Sequence, residues 1–126
     1  MAIQTPIRRA RGLGSAREGV SHWKMQRLTA IANALLVLWF IFSVATFSEA
    51  SCAAVAAWLA RPLPAALMVL LLVSVFWHAR LGLQVVIEDY VHSEPARIAS
   101  LVAVTLLTFG LGAACVVAVL KVSLGS

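Results

Sequence analysis

Along this chain polar residues crowd the stretch before Leu28 and then give way to three long apolar runs divided by short polar interruptions. Crossing a hydrocarbon layer about 30 Å thick takes about 20 residues of helix, because every backbone N–H and C=O must find its partner inside the segment. All three runs are long enough. The first, Leu28 to Phe47, carries no charge and is rich in Leu, Ile, Val and Phe. The second starts near Pro62 and Pro64, which suit a helix start because the first turn has no use for the missing N–H, and continues to about Ile87. It is interrupted by His78, Arg80 and Gln84. Hydrocarbon disfavours such residues, by up to about 3 kcal/mol for an arginine at mid-depth, so each needs a compensating partner. The third, Ile98 to Leu120, is uncharged and carries Gly110 and Gly112, small residues that permit close helix approach. The pattern predicts an all-α integral membrane protein with spans at about 26–47, 64–88 and 98–120, a tail over 1–24 and a short tail over 121–126.

Composition sharpens this picture. Hydrophobic residues make up 62% of the chain, charged ones 12%, and the mean hydropathy is +0.95. A soluble domain carries about 25% charged residues, and 126 residues spent on three spans leave no room for a soluble catalytic domain. Ten Lys and Arg against five Asp and Glu would elsewhere suggest nucleic acid, but Arg8, Arg9, Arg11, Arg17, Lys24 and Arg27 all precede the first apolar run. That placement is a topology signal and not a nucleic-acid surface. It predicts the N-terminus inside, the loop Ser48 to Arg61 outside, Glu88 to Arg97 inside and the C-terminus outside. Cys52 and Cys115 lie far apart with no second cysteine near either, so they read as small apolar fillers. The leader has no secretory pattern; being rich in arginine and poor in acids, it also fits an organellar transit peptide, which would put the chain in a mitochondrial rather than a bacterial membrane.

The chemistry concentrates on the second run. His78, Gly82, Val85 and Asp89 are spaced by four, three and four residues, which returns them to one face of a helix. At about 1.5 Å per residue the imidazole lies about 16 Å from the carboxylate, one within the hydrocarbon and the other near the inner boundary. A histidine at that depth has three open readings: an axial bond to haem iron, a proton relay, or a hydrogen bond to a neighbouring helix. Gly82, one turn on, leaves a helix face clear for a flat macrocycle. With no other histidine at membrane depth, a second axial ligand would come from another chain. Asp89 and Tyr90 at the helix end read either as ordinary interfacial residues or as the carboxylate and phenol that quinone reduction requires. Trp23, Gln26 and Arg27 open the first helix, as interfacial anchors or as partners of a haem propionate or quinone oxygen. Arg80 points about 200° away from His78 and has no evident partner. Trp39, Trp58 and Trp77 read as packing or belt residues, and His22 and His92 as boundary residues.

The segment HARLGLQVVIEDYVH, His78 to His92, resembles the hydrophobic membrane anchor subunit of succinate dehydrogenase, respiratory complex II, and the form with Glu88 before Asp89 is similar to alphaproteobacterial members. A second stretch, GSAREGVSHWKMQRLTA from Gly14 to Ala30, resembles that family's approach to its first helix, with Lys24 where a second tryptophan is expected after Trp23. The resemblance spans about Gly14 to Leu120. It implies that His78 is an axial ligand of haem b, and that Asp89 and Tyr90 lie at the ubiquinone site. It also implies a second membrane subunit of cytochrome b type that packs against this chain and completes the haem. An iron–sulfur subunit and a flavoprotein subunit holding the clusters and the FAD would dock on the inner side. On this reading the chain is a non-catalytic subunit of a succinate:quinone enzyme in the bacterial inner membrane, in contact with membrane lipid. Three other readings remain: a structural anchor without haem or quinone contact, an anchor of a fumarate reductase, and a small transporter or channel subunit. Against the last, the outer helices offer few polar residues beyond Asn33, Ser43, Thr105 and Thr108 to build the other wall of a pathway.

Overall fold

The computed structural model describes residues 14–125, with side chains from residue 19 onward; Arg8, Arg9 and Arg11, on which the predicted orientation leans, lie outside the described residues. The described residues form four helices: α1 (Gly14–Ala45), α2 (Cys52–Leu59), α3 (Pro62–Tyr90) and α4 (Glu94–Ser123). Three of them, α1, α3 and α4, are long and apolar enough to cross a membrane.

At about 1.5 Å per residue the 32 residues of α1 reach about 48 Å, well beyond the hydrocarbon thickness, so its polar first third extends past the apolar run at Leu28. The connection after α1, read from the sequence as the loop Ser48 to Arg61, contains a helix over Cys52–Leu59. Its start is set by Ser51, whose hydroxyl accepts the amide N–H of Ala54 at 3.1 Å, and the sequence CAAVAAWL that follows is rich in good helix formers. Eight residues cover only about 12 Å, far too little to span. α3 follows with Pro in its first turn, and α4 starts with Pro95 behind Glu94. Glu94 in the first turn and Lys121 in the last complement the helix dipole of α4. Beyond the C-cap Leu124, Gly125 takes a φ of +75°, the left-handed turn that commonly closes a helix.

α3 is the central element, packed along both α1 and α4. Only Val91, His92 and Ser93 separate α3 from α4, which makes them antiparallel neighbours. The core is thin: among the described residues Leu59, Pro64, Ala65, Leu71, Leu81 and Val119 are the buried apolar ones, joined by Thr29 and Ser74. Large side chains such as Leu35, Phe42 and Leu106 are more than 60% exposed on this chain. Helices that are apolar all round belong in lipid or against another membrane protein.

α2 is held by aromatic contacts. Trp58 stacks on Trp39 of α1 at 5.4 Å between ring centroids, meets Phe47 edge-on at 5.5 Å and lies 6.3 Å from Phe40. Gly112 brings α4 close to α3, for a Cβ there would lie 3.4 Å from the ring of Phe76. Gly110 does not share that role, since a Cβ at Gly110 would meet nothing within 4 Å.

Candidate functional site

The three polar residues inside the second apolar run each find a different answer. Gln84 donates to the carboxylate of Glu88 one turn on, at 2.9 Å. Arg80 turns toward α4, where its guanidinium lies 5.7 Å from the ring centroid of Trp77 and 5.8 Å from that of Phe109. These are cation–π contacts, and they suit an arginine in a low-dielectric setting without a carboxylate. The Nε of Arg80 and the indole nitrogen of Trp77 are buried with no hydrogen-bond partner among the described residues.

His78 faces the other way, toward α1. Its Nδ1 lies 3.0 Å from the hydroxyl of Thr29, a residue only 7% exposed. Thr29 is itself tied to the first helix, its hydroxyl 2.8 Å from the carbonyl of Met25 and 3.1 Å from that of Gln26. One turn before His78, Ser74 donates to the backbone carbonyl of Thr29 at 3.3 Å. Two side chains of α3 therefore grip a single residue of α1. In an apolar environment such interhelical hydrogen bonds fix the register of two helices that hydrophobic packing alone would leave free to slide.

Beside this clasp lies an open groove of about 550 Å³, lined by Ala30, Asn33, Ala34, Val37, Leu38 and His78. Among the described residues the Nε2 of His78 has no hydrogen-bond partner. The small side chains next to it belong to α1, at Ala30 and Ala34. Gly82 lies outside this lining, and a Cβ there would stand 3.9 Å from the amide nitrogen of Gln26, an ordinary van der Waals contact. The stripe leaves α1 beyond that point, with Val85 41% exposed and Asp89 exposed.

Tyr90 is the last residue of α3 and is 77% exposed. Near the start of the apolar part of α1, the guanidinium of Arg27 lies over the ring of Trp23 at 5.4 Å, and Trp23 is itself 57% exposed. Among the described residues no hydrogen bond, ion pair or ring contact joins this pair to Asp89 or Tyr90. His78 and Gly82 thus meet α1, whereas Asp89 and Tyr90 present their polar groups outward from this chain.

Sequence reasoning gave Thr29 and Asn33 no part in the histidine's surroundings. The signal was present: His22, Gln26, Thr29 and Asn33 repeat at four, three and four residues, a polar stripe that runs from the polar first third of α1 into its apolar part. His22 Nε2, Gln26 Oε1 and Asn33 Oδ1 are buried without hydrogen-bond partners among the described residues.

A chain with three membrane-length helices, a histidine pinned at mid-helix and polar residues turned outward at one end belongs to the class of multi-pass membrane subunits that work in company with other chains. Residues 1–112 match the sequence model of the succinate dehydrogenase/fumarate reductase transmembrane subunit, and the chain belongs to that family. It is 34% identical over 117 residues to the succinate dehydrogenase hydrophobic membrane anchor subunit of Rickettsia bellii (strain RML369-C), covering 93% of this chain and 94% of that one. The protein of the same description from Paracoccus denitrificans is 30% identical over 126 residues, covering 100% and 97% of the two chains. The succinate dehydrogenase membrane anchor subunit of Reclinomonas americana is 38% identical over 88 residues, 68% of this chain and 73% of its own.

Proposed function

We propose that this chain is the membrane anchor subunit of a succinate:ubiquinone oxidoreductase, in which His78 is an axial ligand of haem b and Asp89 and Tyr90 belong to the ubiquinone site. The observation that carries the haem assignment is the setting of His78, with one ring nitrogen held by Thr29 and the other free beside an open groove. A metal-bound histidine ordinarily has its second nitrogen hydrogen-bonded in this way. The residues fit the group. Ala30 and Ala34 leave space beside the imidazole, and the groove lies open to a second chain, from which the other axial ligand and the far wall would come. Haem bound there supplies a one-electron redox centre inside the membrane. Gly82 lies next to Gln26 on the same side of α3, and Arg27 and Trp23 form the interfacial edge toward haem or quinone.

At the end of α3, the Tyr90 phenol donates a hydrogen bond to a carbonyl oxygen of ubiquinone, and the Asp89 carboxylate sets the local charge and proton supply. The exposure of both residues on this chain supports a site completed by partner subunits. Those partners are a cytochrome b-type membrane subunit beside α1 and α3, and an iron–sulfur subunit with its flavoprotein on the side where α3 ends. That side is the cytoplasmic face of a bacterial inner membrane, in keeping with the basic residues before α1.

Succinate oxidation would take place in the flavoprotein, so substitutions here should separate two activities. Tyr90→Phe in the assembled complex should depress succinate–quinone activity about a hundredfold or more, within the usual range for a lost proton donor, and leave succinate oxidation by a soluble dye near normal. Equal loss of both activities would refute the quinone assignment. His78→Ala should change the haem b spectrum, and an unaltered spectrum would remove His78 from the coordination sphere.

A further inference from the structure

We propose that Thr29 is the positioning residue for His78, holding the imidazole in the tautomer whose proton is on Nδ1 and whose lone pair is on Nε2, in a residue that lines the groove. The inference rests on the reading of His78 as a haem ligand and asks what prepares it for that role. A threonine hydroxyl has one proton and two lone pairs. The carbonyl of Met25, four residues back and 2.8 Å away, is the short contact for that proton, with the carbonyl of Gln26 at 3.1 Å beside it. A carbonyl oxygen cannot donate, so each of these contacts is a hydrogen bond only if Thr29 gives its proton to it. The hydroxyl oxygen is then an acceptor toward His78, and the 3.0 Å contact requires a proton on Nδ1. With Nδ1 unprotonated, two lone pairs would face each other at that distance beside a threonine that is itself buried. In neutral imidazole a proton on Nδ1 leaves the lone pair on Nε2.

The clasp resists the alternative. Rotating the Thr29 hydroxyl to donate to Nδ1 would break the hydrogen bonds to both carbonyls, and the backbone of Thr29 is itself anchored to α3 through Ser74. The acceptor is also neutral. A carboxylate in its place would draw the Nδ1 proton strongly and give the ring imidazolate character, making it a much stronger electron donor to a metal; a hydroxyl draws the same proton weakly and adds a small part of that donation.

The test uses the assembled complex with Thr29→Val, which is close in shape but removes the acceptor, and Thr29→Ser, which restores it. Thr29→Val should weaken haem retention about tenfold or more, the usual cost of losing an outer partner of a metal ligand. It should raise the midpoint potential of the haem that remains, because the ring loses electron donation through Nδ1–H. It should also shift the ¹⁵N resonances of the His78 ring in the reduced complex away from those of an Nδ1-protonated imidazole. Thr29→Ser should return all three to wild-type values. A Thr29→Val complex with wild-type haem retention, potential and ring resonances overturns the proposal. So does a Thr29→Ser complex as altered as the valine variant, since the effect would then belong to packing. Should His78→Ala keep the haem spectrum, the coordination reading fails by itself, and the ring resonances in the wild-type and Thr29→Val complexes still decide what Thr29 does.

Discussion

Gly110 and Gly112 of α4 share a residue type and a helix but differ in what they face, which makes them a controlled pair. A Cβ at Gly112 would lie 3.4, 3.5 and 3.6 Å from three carbons of Phe76 on α3, whereas one at Gly110 would meet nothing within 4 Å. Alanine at position 112 therefore fits in tight but ordinary contact. Leucine does not, for its branch carbon must go a further bond length into the ring of Phe76 or turn aside into a poor rotamer. Overpacking of this kind costs about 1–3 kcal/mol. The gain in helix propensity on leaving glycine, about 0.5–1 kcal/mol, applies equally at both positions and cancels in the comparison. Gly112→Leu should thus be less stable than Gly110→Leu by about 1–3 kcal/mol, which is roughly a 5- to 150-fold difference in the equilibrium for docking α4 on α3. Titrating the purified chain in detergent micelles with SDS, followed by circular dichroism and tryptophan fluorescence, measures it. Equal midpoints for the two leucine variants, or a lower one for Gly110→Leu, would refute the packing assigned to Gly112.

Two further substitutions probe the contacts that replace charge pairing and loop order. Arg80→Leu should change the stability of the isolated chain only slightly, between a gain of about 2 and a loss of about 1 kcal/mol: the side chain sheds a transfer cost of about 3 kcal/mol and loses two aromatic contacts worth together about 1–4 kcal/mol. A loss beyond about 2 kcal/mol in the same SDS titration would mean that the guanidinium has a stronger partner than Trp77 and Phe109. Trp58→Ala removes contacts to Trp39, Phe40 and Phe47, each worth about 0.5–1.5 kcal/mol, and should release α2 without disturbing the long helices. Amide exchange across Cys52–Leu59 should then accelerate at least about tenfold, while exchange in the middle of α3 stays as it was; no change in α2 would remove the aromatic anchor from the account.

Much of this architecture was legible because a bilayer imposes a simple rule. Any segment that crosses must satisfy its own backbone, so length and apolarity alone single out α1, α3 and α4. The same rule made His78, Arg80 and Gln84 conspicuous, since polar groups in hydrocarbon require partners. Spacing along α3 also separated the directions of His78 and Arg80 correctly, as one meets Thr29 of α1 and the other Phe109 of α4. The short helix α2 escapes a sequence reading because eight alanine-rich residues are too brief to register as a span, and Trp58 meets its partners only once the chain folds back on the preceding helix.

What the order of residues determined by itself was the number of membrane-length helices, the family to which the chain belongs, and the helix face on which an unusual histidine stands. Helical periodicity and the cost of polar groups in lipid are local properties, and local properties can be read along a chain. Only tertiary structure decided that Thr29 is the residue meeting His78, that Ala30 and Ala34 rather than Gly82 border the open groove, and that one of two neighbouring glycines carries the contact with α3. Each depends on the relative rotation and axial offset of two helices, which are fixed by the packing and hydrogen bonds between them and are written in neither helix alone.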